Sequence, residues 1–66
     1  MKNSIRIERA IKNITQSDLA DLVNVSRQSI IAIESAKYIP STALAIKIAK
    51  VFNKNVEEIF ILEDKD

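Results

Sequence analysis

An all-α domain of five short helices is the fold this sequence predicts, and three observations carry the prediction. Thr15, Ser26, Ser41 and Asn55 each stand just before an apolar-periodic stretch, where a side-chain oxygen can cap a helix start. Apolar residues recur three and four positions apart, most plainly as Leu44, Ala45, Ile48, Ala49 and Phe52. The 66 residues include no Gly and a single Pro, so few breakers interrupt those stretches, and no repeat or low-complexity linker divides them. One compact domain covers residues 1–66.

The first helix is expected from about Asn3 to Asn13, with Ile5, Ile7 and Ile11 as its apolar contribution. The second starts at Thr15, whose hydroxyl can take a free amide while Asp18 reciprocates, and buries Leu19, Ala20 and Val23. The third starts at Ser26 and points Ile30 and Ile33 inward. Between them lies Val23-Asn24-Val25, and Asn tolerates the left-handed backbone that a sharp turn demands. Two capped helices separated by three residues make a helix-turn-helix unit over about residues 15–35. Pro40-Ser41 opens the fourth helix, which sets Lys47, Lys50 and Lys54 on a face away from its apolar one. A short fifth follows Asn55, with Glu57 and Glu58 favourably placed at its positive end. Phe60-Ile61-Leu62 is too short for another helix and reads as a strand or a docked arm.

Composition excludes several classes of function. With no Cys and no His there is no disulfide, no thiolate or imidazole metal site and no triad-type nucleophile, and no Gly-rich loop could cradle a phosphate. The carboxylates are scattered or terminal. An enzyme, a cofactor, a metal and a small-molecule ligand are therefore not expected. The apolar runs are too short for a membrane span or a signal peptide, so the cytoplasm is the expected location. The net charge is only +1, but it is segregated. Residues 1–56 carry nine basic side chains against four acidic ones, whereas residues 57–66 carry five acids against Lys65. A basic body with an acidic end fits a partner made of phosphates, although a solvated acidic terminus is also common.

The third helix, about residues 26–35, carries the candidate chemistry. Arg27 and Gln28 occupy its first outward turn, where Arg can donate twice to guanine O6 and N7 and Gln can pair with adenine N6 and N7. The plain alternative is that both are ordinary helix formers on a wet surface. Ile31 also faces outward, and either packs on a thymine methyl group or covers a neighbouring side chain or a partner subunit. Gln16 and Ser26, at helix starts that attract anions, are candidate phosphate contacts, with Ser29, Ser35 and Lys37 beside them.

The stretches Thr15-Gln16-Ser17-Asp18-Leu19-Ala20, Val25-Ser26-Arg27-Gln28-Ser29-Ile30, Ile33-Glu34 and Lys37-Tyr38-Ile39-Pro40-Ser41 occur in a telling order. With Leu44-Ala45-Ile46-Lys47-Ile48-Ala49 and Val56-Glu57-Glu58-Ile59-Phe60, they resemble the phage Cro/C1-repressor (XRE) family of helix-turn-helix regulators, in its small stand-alone form. The resemblance implies a lambda-repressor-like five-helix fold that binds double-stranded DNA. It implies phosphate contacts from Gln16 and Ser26, and places Arg27, Gln28 and Ala32 where relatives touch bases. It also implies that Arg9 and Glu34 pair, fixing the first helix to the third. Two positions depart from the family. Asn24 stands where Gly is common, and Ala36 where Gly or Asn is frequent, so the exit from the third helix is expected to differ.

One recognition helix reads only a few base pairs, so a homodimer on a palindromic operator is expected. The expected dimerisation segment is about residues 55–63, through Val56, Ile59, Phe60, Ile61 and Leu62. The alternative is that these fold back on the core or pair with the first residues of their own chain. The functional expectation is a sequence-specific transcriptional regulator acting as a repressor. The competing class is an antitoxin or other protein-binding module with secondary autoregulation on DNA.

Overall fold

A computed structural model describes residues 1–66 as β1 (Lys2–Asn3), α1 (Ile5–Lys12), α2 (Gln16–Val23), α3 (Arg27–Glu34), α4 (Thr42–Val51), α5 (Val56–Ile59) and β2 (Phe60–Ile61). The five expected helices are present, and a two-stranded antiparallel sheet joins the chain ends, Lys2 opposite Ile61 and Asn3 opposite Phe60. No helix is long and apolar enough to cross a membrane.

Local chemistry sets most of the boundaries. Thr15 and Asp18 form the reciprocal cap at α2: the Asp18 amide donates to Thr15 Oγ1 (3.0 Å) and the Thr15 amide to Asp18 Oδ2 (2.9 Å). Ser26 Oγ accepts from the Ser29 amide and Ser41 Oγ from the Leu44 amide. At α5 the Glu58 carboxylate takes the Asn55 amide at 2.9 Å.

The exits of α1 to α4 share one device. Asn13, Asn24, Ala36 and Asn53 all have left-handed backbone, with φ between 55° and 62°. Each lets the next amide reach back five residues, as Val25 does to the Ala20 carbonyl (3.0 Å) and Lys37 to that of Ala32 (3.0 Å). The chain has no glycine, so Asn does glycine's work at three of the four exits. At the fourth, Ala36 holds that conformation with its Cβ in place, which costs about 1 kcal/mol. The exit from α3 thus has the usual turn, held by an ill-suited residue.

The core lies where α2, α3 and α4 meet, and is built from Leu19, Ala20, Val23, Ile30, Ile33, Ala45, Ile48, Ala49 and Phe52, closed by Ile5, Ile59 and Phe60. Three expectations need correction. The first helix starts at Ile5, not Asn3, because Asn3 pairs in the sheet and the Ser4 amide donates to the Ile59 carbonyl (3.0 Å). Ile7 and Ile11 are exposed, and the inner face of α1 is Ile5 with the polar pair Glu8 and Arg9, both neutralised by distant partners. In the C-terminal segment, Ile59 is 0% and Phe60 7% exposed, so both are spent on the chain's own core. Of that segment Val56 is half-buried, while Ile61 and Leu62 remain on the surface.

Candidate nucleic-acid interface

Residues 15–35 form the expected unit, with α2 and α3 joined by the turn Asn24–Ser26. α3 is anchored from behind by Ile30 and Ile33, which are 0% and 1% exposed. With those two facing in, the helical period turns Arg27, Gln28, Ile31 and Ser35 outward. Ile31 is 38% exposed, and Ala32 sits half-buried at the edge of the same face.

Two further contacts hold the far end of α3. The Arg9 guanidinium forks onto the Glu34 carboxylate, Nε to Oε2 at 2.8 Å and Nη2 to Oε1 at 3.0 Å, and Nη1 donates to the Ile14 carbonyl. The Glu34 side chain is only 4% exposed, so this is an ion pair largely shielded from water. Asn3 Nδ2 donates to the Ile33 carbonyl at 2.9 Å, which ties β1 to the last turn of the helix. Arg9 and Glu34 meet as the resemblance implies, while Asn3 was missed. A single Asn thirty residues away leaves no periodic trace in the sequence.

At the other end of α3 the structure brings two expected site residues together. Arg27 Nη2 donates to Gln16 Oε1 at 3.4 Å, across the hollow framed by Arg9, Thr15, Gln16 and Ser17. The start of α2 opens into this hollow. Of its first amides, that of Asp18 is capped by Thr15 Oγ1 and that of Leu19 goes to the Thr15 carbonyl, which leaves those of Gln16 and Ser17 directed at solvent. Unpaired amides, a helix dipole and a guanidinium at one spot suit an anion.

The hydroxyls are less free. Ser26 Oγ caps α3 and lies 3.1 Å from Ser29 Oγ, so those two share one hydrogen bond. Ser35 donates to the Ala32 carbonyl at 3.1 Å and has to release it to reach a phosphate. Lys37 is exposed just past α3 and enters none of the ion pairs.

A second ion pair supports the scaffold. Lys54 Nζ donates to Glu8 Oε2 at 2.7 Å, joining the α4–α5 turn to the inner face of α1. That bond holds the Lys54 ammonium above the usual lysine range. Lys54 therefore differs from Lys47 and Lys50, with which it was grouped as an open basic face. The Met1 amine lies 3.1 Å from Asp66 and 3.4 Å from Glu63, and its hydrogen bond to Asp66 raises its pKa.

Residues 5–59 match a family described as helix-turn-helix. Similarity also runs along the whole chain to proteins named as uncharacterized HTH-type transcriptional regulators. One from Methanocaldococcus jannaschii is 56% identical over 66 residues, 100% of both chains. One from Archaeoglobus fulgidus is 46% identical over 100% of this chain and 94% of its own. A Bacillus subtilis protein is 41% identical over 100% of both.

Proposed function

This chain belongs to the helix-turn-helix family of DNA-binding transcriptional regulators, and from that premise we propose that it acts as a sequence-specific homodimeric repressor on a palindromic operator. One observation carries the reading: Arg27 and Gln28 stand side by side on the outward first turn of α3, while Ile30, Ile33 and Glu34 immobilise that helix from behind. A reading helix must be rigid at its base and polar at its tip, because a loosely held side chain gives up orientation for each base contact.

In the proposed complex the first turns of α3 enter the major groove. Arg27 donates to guanine O6 and N7, and Gln28 pairs with adenine N6 and N7. Ile31 packs on a thymine methyl group, and Ala32, short and half-buried, lets the backbone approach the bases. Gln16, Ser26 and Ser29 contact phosphates near the start of α3, and Ser35 and Lys37 near its end. The long bond from Arg27 to Gln16 gives way as each finds its own partner. One α3 covers too few base pairs to define a site in a genome, so two copies read half-sites roughly 10 base pairs apart. Occupying a promoter needs no further machinery, which favours repression. The protein is assigned to the cytoplasm, where such a target lies.

Selection of bound sequences from a random duplex pool, followed by salt titration, tests the reading. The expected result is a two-fold symmetric motif whose affinity falls steeply with salt. A bound pool without any enriched sequence overturns it.

A further inference from the structure

Two regions of the surface carry opposite charge and matching relief. The first is a hollow of about 420 Å³ between the last turns of α2 and α4, lined by Leu22, Val23, Asn24, Lys47, Lys50 and Val51. Leu22 is 60% exposed at its rim. Lys47 and Lys50 lie one helical turn apart, both are exposed, and neither joins an ion pair. The second region is the acidic end of the chain. Leu62 is 76% exposed, more than any other large apolar side chain, and Glu63 and Asp64 follow it. Ile61 is paired with Lys2, and Glu63 lies 3.4 Å from the Met1 amine, so this end is held in place while Leu62 and Asp64 face outward.

We infer that the end of one copy docks into the α2–α4 hollow of another, Leu62 entering it while Glu63 and Asp64 meet Lys47 and Lys50. The contact is head-to-tail, so it is separate from two-fold pairing and joins copies beyond a pair. It needs no DNA and stands whether or not the repressor reading holds.

The chemistry of the hollow selects the occupant. Val23 and Val51 offer nothing to a phosphate, and the two free lysines disfavour a wholly apolar partner. What suits both is a projecting apolar side chain followed by carboxylates, which is the order Leu62-Glu63-Asp64. Like regions repel. Two hollows face to face bring four lysines together, and two chain ends bring together segments that each hold five acids against Lys65. Only the unlike pairing sets opposite charges against one another. The outer face of α1 is also basic and apolar, with Ile7 and Ile11 beside Arg6 and Lys12, but neither isoleucine lines a recess. Leu62 set there would stay wet.

A contact of one leucine and two ion pairs is small, so association is expected in the high micromolar range. Sedimentation equilibrium there should show the mass of the wild type climbing past twice the 7.4 kDa of one chain. The double variant Lys47→Glu/Lys50→Glu and the single variant Leu62→Lys, all at exposed positions, should each weaken that step by about tenfold or more. Ile11→Glu should behave as wild type. Mixing the two impaired variants should restore association, because one keeps a sound end and the other a sound hollow. Cross-linking reads the same contact directly. In a chain with no native cysteine, Leu22→Cys mixed with Leu62→Cys should give a disulfide between unlike copies, and neither should link to itself as readily.

The docking is overturned if the wild-type mass levels off at one pair or below, if the lysine variant climbs undiminished, if mixing restores nothing, or if disulfides join like copies instead. It is also overturned if Lys47→Glu/Lys50→Glu weakens binding to a single duplex site and leaves self-association intact, since the lysines would then face phosphate. The sequence-selection experiment reads none of these steps, so the two readings fail separately.

Discussion

Arg9 and Glu34 are 25 positions apart and joined by two parallel hydrogen bonds of 2.8 and 3.0 Å, making α1 a brace for the last turn of α3. Glu34→Ala leaves a mostly buried guanidinium with only the Ile14 carbonyl for company. It should therefore destabilise the fold by about 2–3 kcal/mol. Urea denaturation measures this, and the double variant Arg9→Met/Glu34→Met should lose less than the two single changes added together. Additive losses would mean that the pair does not act as a unit.

Arg27 and Gln16 touch in the free protein but are assigned different tasks on DNA. Arg27→Ala should relax preference at one position of each half-site, by about 1–3 kcal/mol of discrimination. Gln16→Ala should weaken all sequences alike and lower the salt dependence. Binding to a panel of single-base operator variants separates the two. Uniform loss from both would reverse the assignment.

Ala36 holds φ at 62° with a β-carbon, in a chain whose other left-handed residues are all Asn. Ala36→Gly removes the clash, part of which is offset by a floppier unfolded chain, for a net gain of about 0.5–1 kcal/mol. Thermal unfolding should shift upward by a few degrees. Asn24→Ala should move it the opposite way by a similar amount, because it adds the same clash to the turn between α2 and α3.

Four titrations bound the pH range of full stability, Asp18 and Asp66 on the acid side and the Met1 amine and Lys54 on the alkaline side. The backbone amide of Thr15, with its hydroxyl, holds the Asp18 carboxyl below its ordinary value of 3.8. That contribution is complete above pH 3.8 and disappears as pH falls through the lower folded value. Lys54 is raised above 10.5 by its bond to Glu8, so its contribution is complete below pH 10.5 and is lost as pH rises through the folded value. Denaturation midpoints across pH should show a plateau with a fall at each end. Asp18→Asn should make the acid limb shallower and leave the alkaline one unchanged, and Lys54→Met should do the reverse, with Asp66 and the Met1 amine sustaining the remainder of each limb.

The parts of the fold legible in the sequence are those whose causes lie close together. The Thr15–Asp18 and Ser26–Ser29 caps each act across three residues, and the alternation of Leu19, Ala20 and Val23 with polar neighbours repeats every turn. α2, the turn at Asn24 and α3 could therefore be read directly. α1 could not be, because a charged face turned inward reads as a wet one until its partners are known. Glu8 finds Lys54 across 46 positions, and no spacing rule connects them. The pairing of Lys2–Asn3 with Phe60–Ile61 was an open alternative, since two residues are too few to show a strand's alternation. The candidate interface was visible as residue types on α3, whereas the contact from Arg27 to Gln16 depends on the angle between two helices.

The bond from Asn3 to the Ile33 carbonyl also governs how the molecule comes apart. β1 is paired to β2, and the same strand grips the last turn of α3, so the two ends of the chain and the base of α3 form one mechanical unit. α3 cannot fray from that end while the sheet is closed. The hydrogen-bonded amides of its last turns should therefore exchange with solvent only when the whole domain opens, in step with those of the core. In a chain this small the helix proposed to read DNA has no separate softness at that end; its last turns are ordered for as long as the protein is.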